Sequence, residues 1–194
     1  MKITNYLGLF AGQLFCVTLA CVSVSADDWP AWRHDAGRSA ASAELLPAEL
    51  QLSWSRELGL PKPAWPEDPR LGFDACPHPI VARGTLFVAS ARTESLLACD
   101  AVTGEIQWQF FSNGPIRFAP VFWEGRLFFG SDDGFFYCLD ASNGELLWKY
   151  NAASGQRRVI GNERLISVWP VRGGPVLHEG KVVSVHSPTG PGAV

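Results

Sequence analysis

The chain has 194 residues, 47% hydrophobic and 18% charged, with 8 Trp, 12 Phe and a formal charge of −3. Such a supply of large apolar side chains is globular composition and excludes a disordered tail. Neither sign of charge dominates, so nothing points to a nucleic-acid partner or to an anionic membrane surface.

In chain order, residues 1–26 read as a secretory signal peptide. Lys2 supplies the positive start, 7–24 is mostly apolar with breaks at Gln13 and Thr18, and Val24-Ser25-Ala26 offers a cleavage site before Asp27-Asp28. The expected location is therefore outside the cytoplasm, in the periplasm or cell envelope. Two alternatives stay open. An uncleaved segment of this length just reaches across a bilayer, and Cys21 is a lipidation candidate, although Thr18 is a poor residue three places before it. Membrane contact is expected only under those alternatives. Cleavage leaves Cys76, Cys99 and Cys138, an odd number. In the repeat alignment below, Cys99 matches Leu139 and Cys138 matches Ala98, so the two thiols fall out of phase and on opposite faces. Buried thiols are expected, not a disulfide framework.

Residues 27–49 read as an extended arm laid on the body by Trp29 and Trp32. Leu50-Gln51-Leu52-Ser53-Trp54 alternates apolar and polar, the pattern of a half-buried strand. Pro61, Pro63, Pro66 and Pro69 then make a linker that forbids helix interior and central strand.

The core of the chain, 50–194, is repetitive. Pro79-Ile80-Val81-Ala82-Arg83-Gly84-Thr85-Leu86-Phe87 returns as Pro120-Val121-Phe122-Trp123-Glu124-Gly125-Arg126-Leu127-Phe128, an offset of 41 residues. Asp100-Ala101-Val102-Thr103-Gly104-Glu105-Ile106-Gln107-Trp108 returns as Asp140-Ala141-Ser142-Asn143-Gly144-Glu145-Leu146-Leu147-Trp148, an offset of 40. A third copy begins at Pro175-Val176-Leu177-His178-Glu179-Gly180-Lys181-Val182-Val183. A period of about 40 residues built from short β runs marks propeller blades. The fold class is all-β: a partial propeller of four-stranded antiparallel blades at about 77–110 and 118–150, with an incomplete third from 174. In the second blade the strands are placed at 121–123, 126–130, 135–139 and 145–150. Pro120 and Pro175 are 55 residues apart, so an insertion carrying Arg157, Arg158 and Arg164 leaves by a loop.

The repeated loop has a physical reading. Asp100 and Asp140 are placed to accept loop N–H groups in an Asx-type turn. Gly104 and Gly144 should hold the left-handed conformation. Trp108 and Trp148 lie four residues on, where a ring wedged between blades buries about 150–250 Å². This element resembles the tryptophan-docking repeat of PQQ-binding-like β-propellers. The first copy keeps the motif's Ala98, Asp100, Thr103, Gly104 and Trp108; the second carries Cys138 and Asn143 where that motif has Ala and Thr. Asp28-Trp29-Pro30-Ala31-Trp32-Arg33 is similar to the start of exported members. The resemblance implies the propeller fold, and that a strand such as 50–58 completes the last blade. It leaves function open, because the repeat serves both quinoprotein dehydrogenases and a non-enzymatic scaffold lipoprotein of the outer-membrane barrel-assembly machinery.

The pattern departs from the family after Val183, where residues 184–194 are turn-like. That is the expectation for a truncated or frameshifted product whose open blade edges invite self-association or a protein partner. A quinoprotein dehydrogenase implies calcium ligands, a catalytic carboxylate and often a Cys-Cys pair; no catalytic residue of that kind maps onto this chain. Asp132-Asp133 reads as a turn, and Cys76-Pro77-His78 as a structural lead into a strand more than a metal pair. His78, Arg117 and Arg172, joined by Trp169, lie where residues before inner strands face a central funnel. They are the candidate site for an anionic ligand, against the alternative that they pair with local Asp and Glu. The expected role is a non-enzymatic binding or scaffold surface with no cofactor. The alternative is a piece of a PQQ-dependent oxidoreductase, with PQQ and calcium.

Overall fold

A computed structural model describes residues 27–59, 77–152, 155–161 and 164–184. The signal-peptide segment, the Pro-rich linker, Cys76 and residues 185–194 lie outside the described residues. Within them the chain is all-β. Strands β1 (Ile80–Ala82), β2 (Thr85–Ser90), β3 (Ser95–Asp100) and β4 (Ile106–Phe111) form one antiparallel sheet in sequence order. Strands β5 (Val121–Trp123), β6 (Arg126–Gly130), β7 (Phe135–Asp140) and β8 (Leu146–Asn151) form a second sheet of the same plan. The strand positions read from the repeat agree with these to within a residue. Two short ribbons follow: β9 (Arg158–Gly161) with β10 (Arg164–Ser167), and β11 (Val176–His178) with β12 (Lys181–Val183). The second ribbon is the beginning of the third copy. Among the described residues no helix is long and apolar enough to cross a membrane.

The first hairpin of every repeat is closed by the same chemistry. Arg83-Gly84, Glu124-Gly125 and Glu179-Gly180 each place both residues at positive φ (50° and 73°, 47° and 78°, 48° and 69°). That is the two-residue turn whose twist matches right-handed strands, and glycine carries its second position without strain.

Blades pack through opposite faces. Ile80, Ala82, Phe87, Ala89, Leu96 and Ala98 of the first sheet meet Leu127, Phe129, Tyr137 and Leu139 of the second in one buried core. The spacing is two within every strand, as sheet geometry requires. The first sheet presents the face that includes Phe87, whereas the second presents the face that excludes Phe87's counterpart, Phe128. Each blade therefore has one face for the blade before it and one for the blade after it. Cys99 and Cys138 are both buried free thiols, as expected.

The repeated loop is a socket. Asp100 Oδ1 accepts the N–H of Val102 (2.9 Å) and of Thr103 (2.8 Å). Asp140 Oδ1 accepts the N–H of Ser142 at 2.8 Å. Gly104 and Gly144 stand at φ 73° and 74°. Trp108 of β4 lies on the second loop: its indole Nε1–H donates to Ala141 O at 3.1 Å, and a Cβ on Gly144 would fall 2.5 Å from Trp108 Cε3.

Trp54 does the same thing one blade earlier. Its Nε1–H donates to Ala101 O at 3.1 Å, a Cβ on Gly104 would fall 2.6 Å from the indole, and Arg56 Nε–H donates to Gly104 O at 2.8 Å. The strand expected at Leu50–Trp54 does not form. No neighbouring strand pairs with this segment among the described residues, Leu50 and Leu52 are exposed, and the Trp54 indole and the Arg56 guanidinium anchor it. Trp148 closes the series differently. It is 44% exposed, beside exposed Leu146, Leu147 and Tyr150 on β8.

These geometries separate two tryptophans that the sequence treats alike. Trp108→Ala is expected to cost about 3–5 kcal/mol in urea unfolding, as a buried aromatic does. Trp148→Ala should cost less than about 1 kcal/mol. Equal losses would refute the docking account. The Asx loops also set an acid response. Backbone N–H groups of Thr103 and Val102 hold Asp100 below the usual carboxylate range, and the Ser142 hydroxyl and N–H do so for Asp140. A carboxyl whose folded pKa is depressed contributes stability above its unfolded value, about 3.9, and loses it as pH falls through the folded value. Unfolding midpoints should therefore drop below about pH 4. Asp140→Asn should flatten that drop, and an unchanged pH profile would rule out the loop as its source.

Candidate functional site

Two places collect polar side chains inside this framework. The first is Asp132, in the turn between β6 and β7. Its carboxylate, 1% exposed, accepts Arg117 Nε–H at 2.7 Å and Arg172 Nε–H and Nη2–H at 3.0 Å each. Its backbone is also engaged: Asp132 N–H donates to Pro115 O at 2.9 Å, and Asp132 O accepts Ser167 N–H at 2.7 Å. One residue thus joins the lead into β5, the end of the insertion at β10, and the lead into β11. Burying a carboxylate is tolerable only with such pairing. Next to it, Asp133 accepts the Tyr137 hydroxyl, Phe135 N–H at 2.9 Å and Asn113 N–H at 3.3 Å. Burial, reinforced by Asp133, pushes the Tyr137 phenol well above its usual range, so it remains a donor.

The second place lies under the N-terminal arm. Trp29 exchanges both backbone hydrogen bonds with Val81 on the open edge of β1 (2.7 and 3.0 Å), and Pro30 O accepts Phe122 N–H of β5 at 2.8 Å. The arm therefore stitches the inner edges of both blades through backbone hydrogen bonds, where the sequence pointed to the rings of Trp29 and Trp32. Beyond Pro30 it turns instead of running extended, with left-handed backbone at Arg33, His34, Arg38 and Ala40. Between this turn, the leads into β1 and β5, and β11 lies a cavity of about 480 Å³. Trp32, His34, Arg38, His78 and Phe118 are among its walls.

The residues proposed from sequence are distributed over these places. Arg117 and Arg172 meet on Asp132. His78 lies in the arm cavity, edge-on to Trp32 at 5.8 Å between ring centroids. Arg117 lines a different cavity, of about 250 Å³, beside Leu58 and Arg92. Trp169 covers Gly155 on the insertion, with its N–H donating to Ser167 Oγ at 3.1 Å. Ser131-Asp132-Asp133-Gly134 is a turn, as its sequence suggests, and both of its carboxylates are buried, which the sequence did not show. The signal was available in the insertion, which must attach somewhere and brings Arg172 with it. Trp54 was missed as a docking residue. Its signal is the match of Leu52-Ser53-Trp54 to Ile106-Gln107-Trp108 and Leu146-Leu147-Trp148.

Comparison with known proteins follows this geometry. The family described as outer membrane protein assembly factor BamB matches residues 22–191. The chain belongs to that family. Among curated relatives of this BamB-family chain, the dehydrogenase subunit of a quinone alcohol dehydrogenase from Gluconacetobacter polyoxogenes is 27% identical over 171 residues. That alignment covers 82% of this chain and 22% of the relative. A quinoprotein ethanol dehydrogenase from Pseudomonas aeruginosa is 37% identical over 62 residues, 31% of this chain and 10% of the relative. Among solved structures, the quinohemoprotein alcohol dehydrogenase of Comamonas testosteroni superposes with a TM-score of 0.57 at 21% identity, over 82% of this chain and 23% of that one. The chain spans about a fifth of the length of the Gluconacetobacter and Comamonas proteins. The likeness to the Comamonas structure establishes the propeller fold.

The Asp132 triad yields a direct test. Asp132→Asn leaves two guanidinium groups on a neutral amide, and breaking a buried pair from one side costs about 3–5 kcal/mol. The loss is read from chemical denaturation; a change below about 1 kcal/mol would show that the triad does not hold the insertion and the third repeat to the second blade.

Proposed function

We propose that this chain acts as an exported, non-enzymatic propeller segment that offers a binding or scaffold surface in the cell envelope. The observation that carries this reading is the commitment of Arg117 and Arg172 to Asp132. The cations that sequence placed at the funnel serve as a structural weld, with three N–H groups converging on one buried carboxylate. The open face of β8, with Leu147, Trp148 and Tyr150 at its surface, adds a second support, since it is shaped to receive another protein surface. The description of the matched family, an outer-membrane assembly factor, agrees with a role of this kind.

A second reading, part of a PQQ-dependent oxidoreductase, is favoured by the alignment with quinone alcohol dehydrogenases along 82% of the chain. The described residues gather no calcium cage of their own. Calcium takes about six to eight oxygen ligands, and no group of three or more His, Cys, Asp or Glu is gathered for a metal among the described residues. Asp132, the most buried carboxylate among the described residues, already accepts three N–H groups.

Titration of the protein with PQQ and calcium, followed by quinone absorbance, separates the readings. No saturable change is expected. A stoichiometric quinone band would overturn the non-enzymatic reading.

A further inference from the structure

We propose that the cavity beneath the N-terminal arm is a binding site for a small aromatic carboxylate. This goes beyond the scaffold reading and does not depend on it. The cavity, about 480 Å³, has the size of small-molecule sites. It is built by four separate stretches of chain: the arm, the lead into β1, the lead into β5, and β11. Its apolar walls include Phe118, Phe122 and Val176, and Trp32 adds an indole that is 37% exposed.

Charge decides the class of ligand. The Arg38 guanidinium carbon lies 4.6 Å from the Trp32 ring centroid, and that of Arg33 lies at 5.9 Å. No carboxylate pairs with Arg38 among the described residues. The one acid on the wall, Asp35, is engaged instead by Ser39, whose hydroxyl and N–H both donate to it. His34 Nδ1 is buried without a hydrogen-bond partner, 3.7 Å from Asp35 Oδ2.

A guanidinium fork held against an indole matches a carboxylate next to a flat ring. The ring would lie along Trp32 and the apolar wall, and the carboxylate would meet Arg38. The backbone supports the same reading. Arg33, His34, Arg38 and Ala40 are held at φ 59°, 80°, 55° and 53° without a glycine among them. Such conformations persist only where the surroundings impose them, and they cluster at ligand clamps. The two anchors at Trp29 and Pro30 fix the start of this strained turn on the blades.

Calorimetric titration of the whole chain with 2-naphthoate tests the assignment, without PQQ or calcium, so that its outcome is independent of the cofactor titration. Saturable one-to-one binding is expected. Arg38→Gln should weaken it about tenfold or more, the size of a lost charge-assisted contact. The neutral 2-naphthamide should bind the unmodified protein correspondingly less well. Trp32→Leu should weaken naphthoate and leave inorganic anions unaffected, whereas Arg157→Gln, on the exposed insertion, should change nothing. Near-ultraviolet circular dichroism checks that each variant is folded, and Arg38→Gln alone suffices if Trp32→Leu is not. Absence of saturation in the millimolar range overturns the proposal. So does naphthoate binding that is indifferent to Arg38→Gln, or an amide that binds as well as the acid.

Discussion

The indole seated on a left-handed glycine is the contact on which the rest of this structure depends. A side chain at Gly144 would collide with Trp108, and one at Gly104 with Trp54. Only glycine leaves room for the ring, and only glycine takes φ near 74° in that loop without strain. The Asp at the head of each loop gathers the turn N–H groups, and the loop carbonyl of the following Ala receives the indole N–H. Hydrophobic burial alone would hold two sheets together without fixing how far they slide. The hydrogen bond and the steric notch fix that register.

Because opposite faces meet, one blade never satisfies itself. The first sheet offers Phe87, Leu96 and Trp108 to the second, and the second offers the corresponding face, with Phe128, Phe136 and Trp148, onward. This is the heterologous, nearest-neighbour logic of repeat proteins. It explains why Trp108 is partly buried and Trp148 is open although their motifs match residue for residue in most places. The difference belongs to what stands next to each blade, not to the blade.

That logic also sets how much was legible. Strands within a repeat are local and periodic, and alternation with X-Gly turns placed the four strands of the second blade and, through the repeat, the plan of the first. The Asx loops and the buried thiols followed from the same alignment. Three features depended on contacts between segments far apart in sequence. Leu50–Trp54 alternates like a strand, but alternation cannot tell a segment that pairs from one that docks by a single ring. Arg117 and Arg172 lie 55 residues apart, equivalent in the repeat, and their common partner Asp132 sits in a turn whose residues elsewhere are solvated. The arm's left-handed turn has no repeat and no glycine at its four strained positions, so no local rule marks it.

The division between repeated and unrepeated parts bears on function. The docking loops hold blade to blade, so those residues say what fold the chain has and not what it does. What distinguishes this chain lies where the period breaks: the insertion between the second and third copies, and the arm. The insertion is committed internally, through Ser167 and Val171 to the Asp132 turn and through Arg164 to Glu94 across the blades. The arm is not. It is attached through the backbone of Trp29 and Pro30 and the Asp28 carboxylate, which accepts Arg83 N–H at 2.8 Å, and leaves Trp32, His34 and Arg38 lining a cavity. A segment fixed at one end, with left-handed backbone at four non-glycine positions over a cavity, is where recognition in this chain is best placed, because the buried carboxylates of the Asp132 turn are already committed to internal contacts.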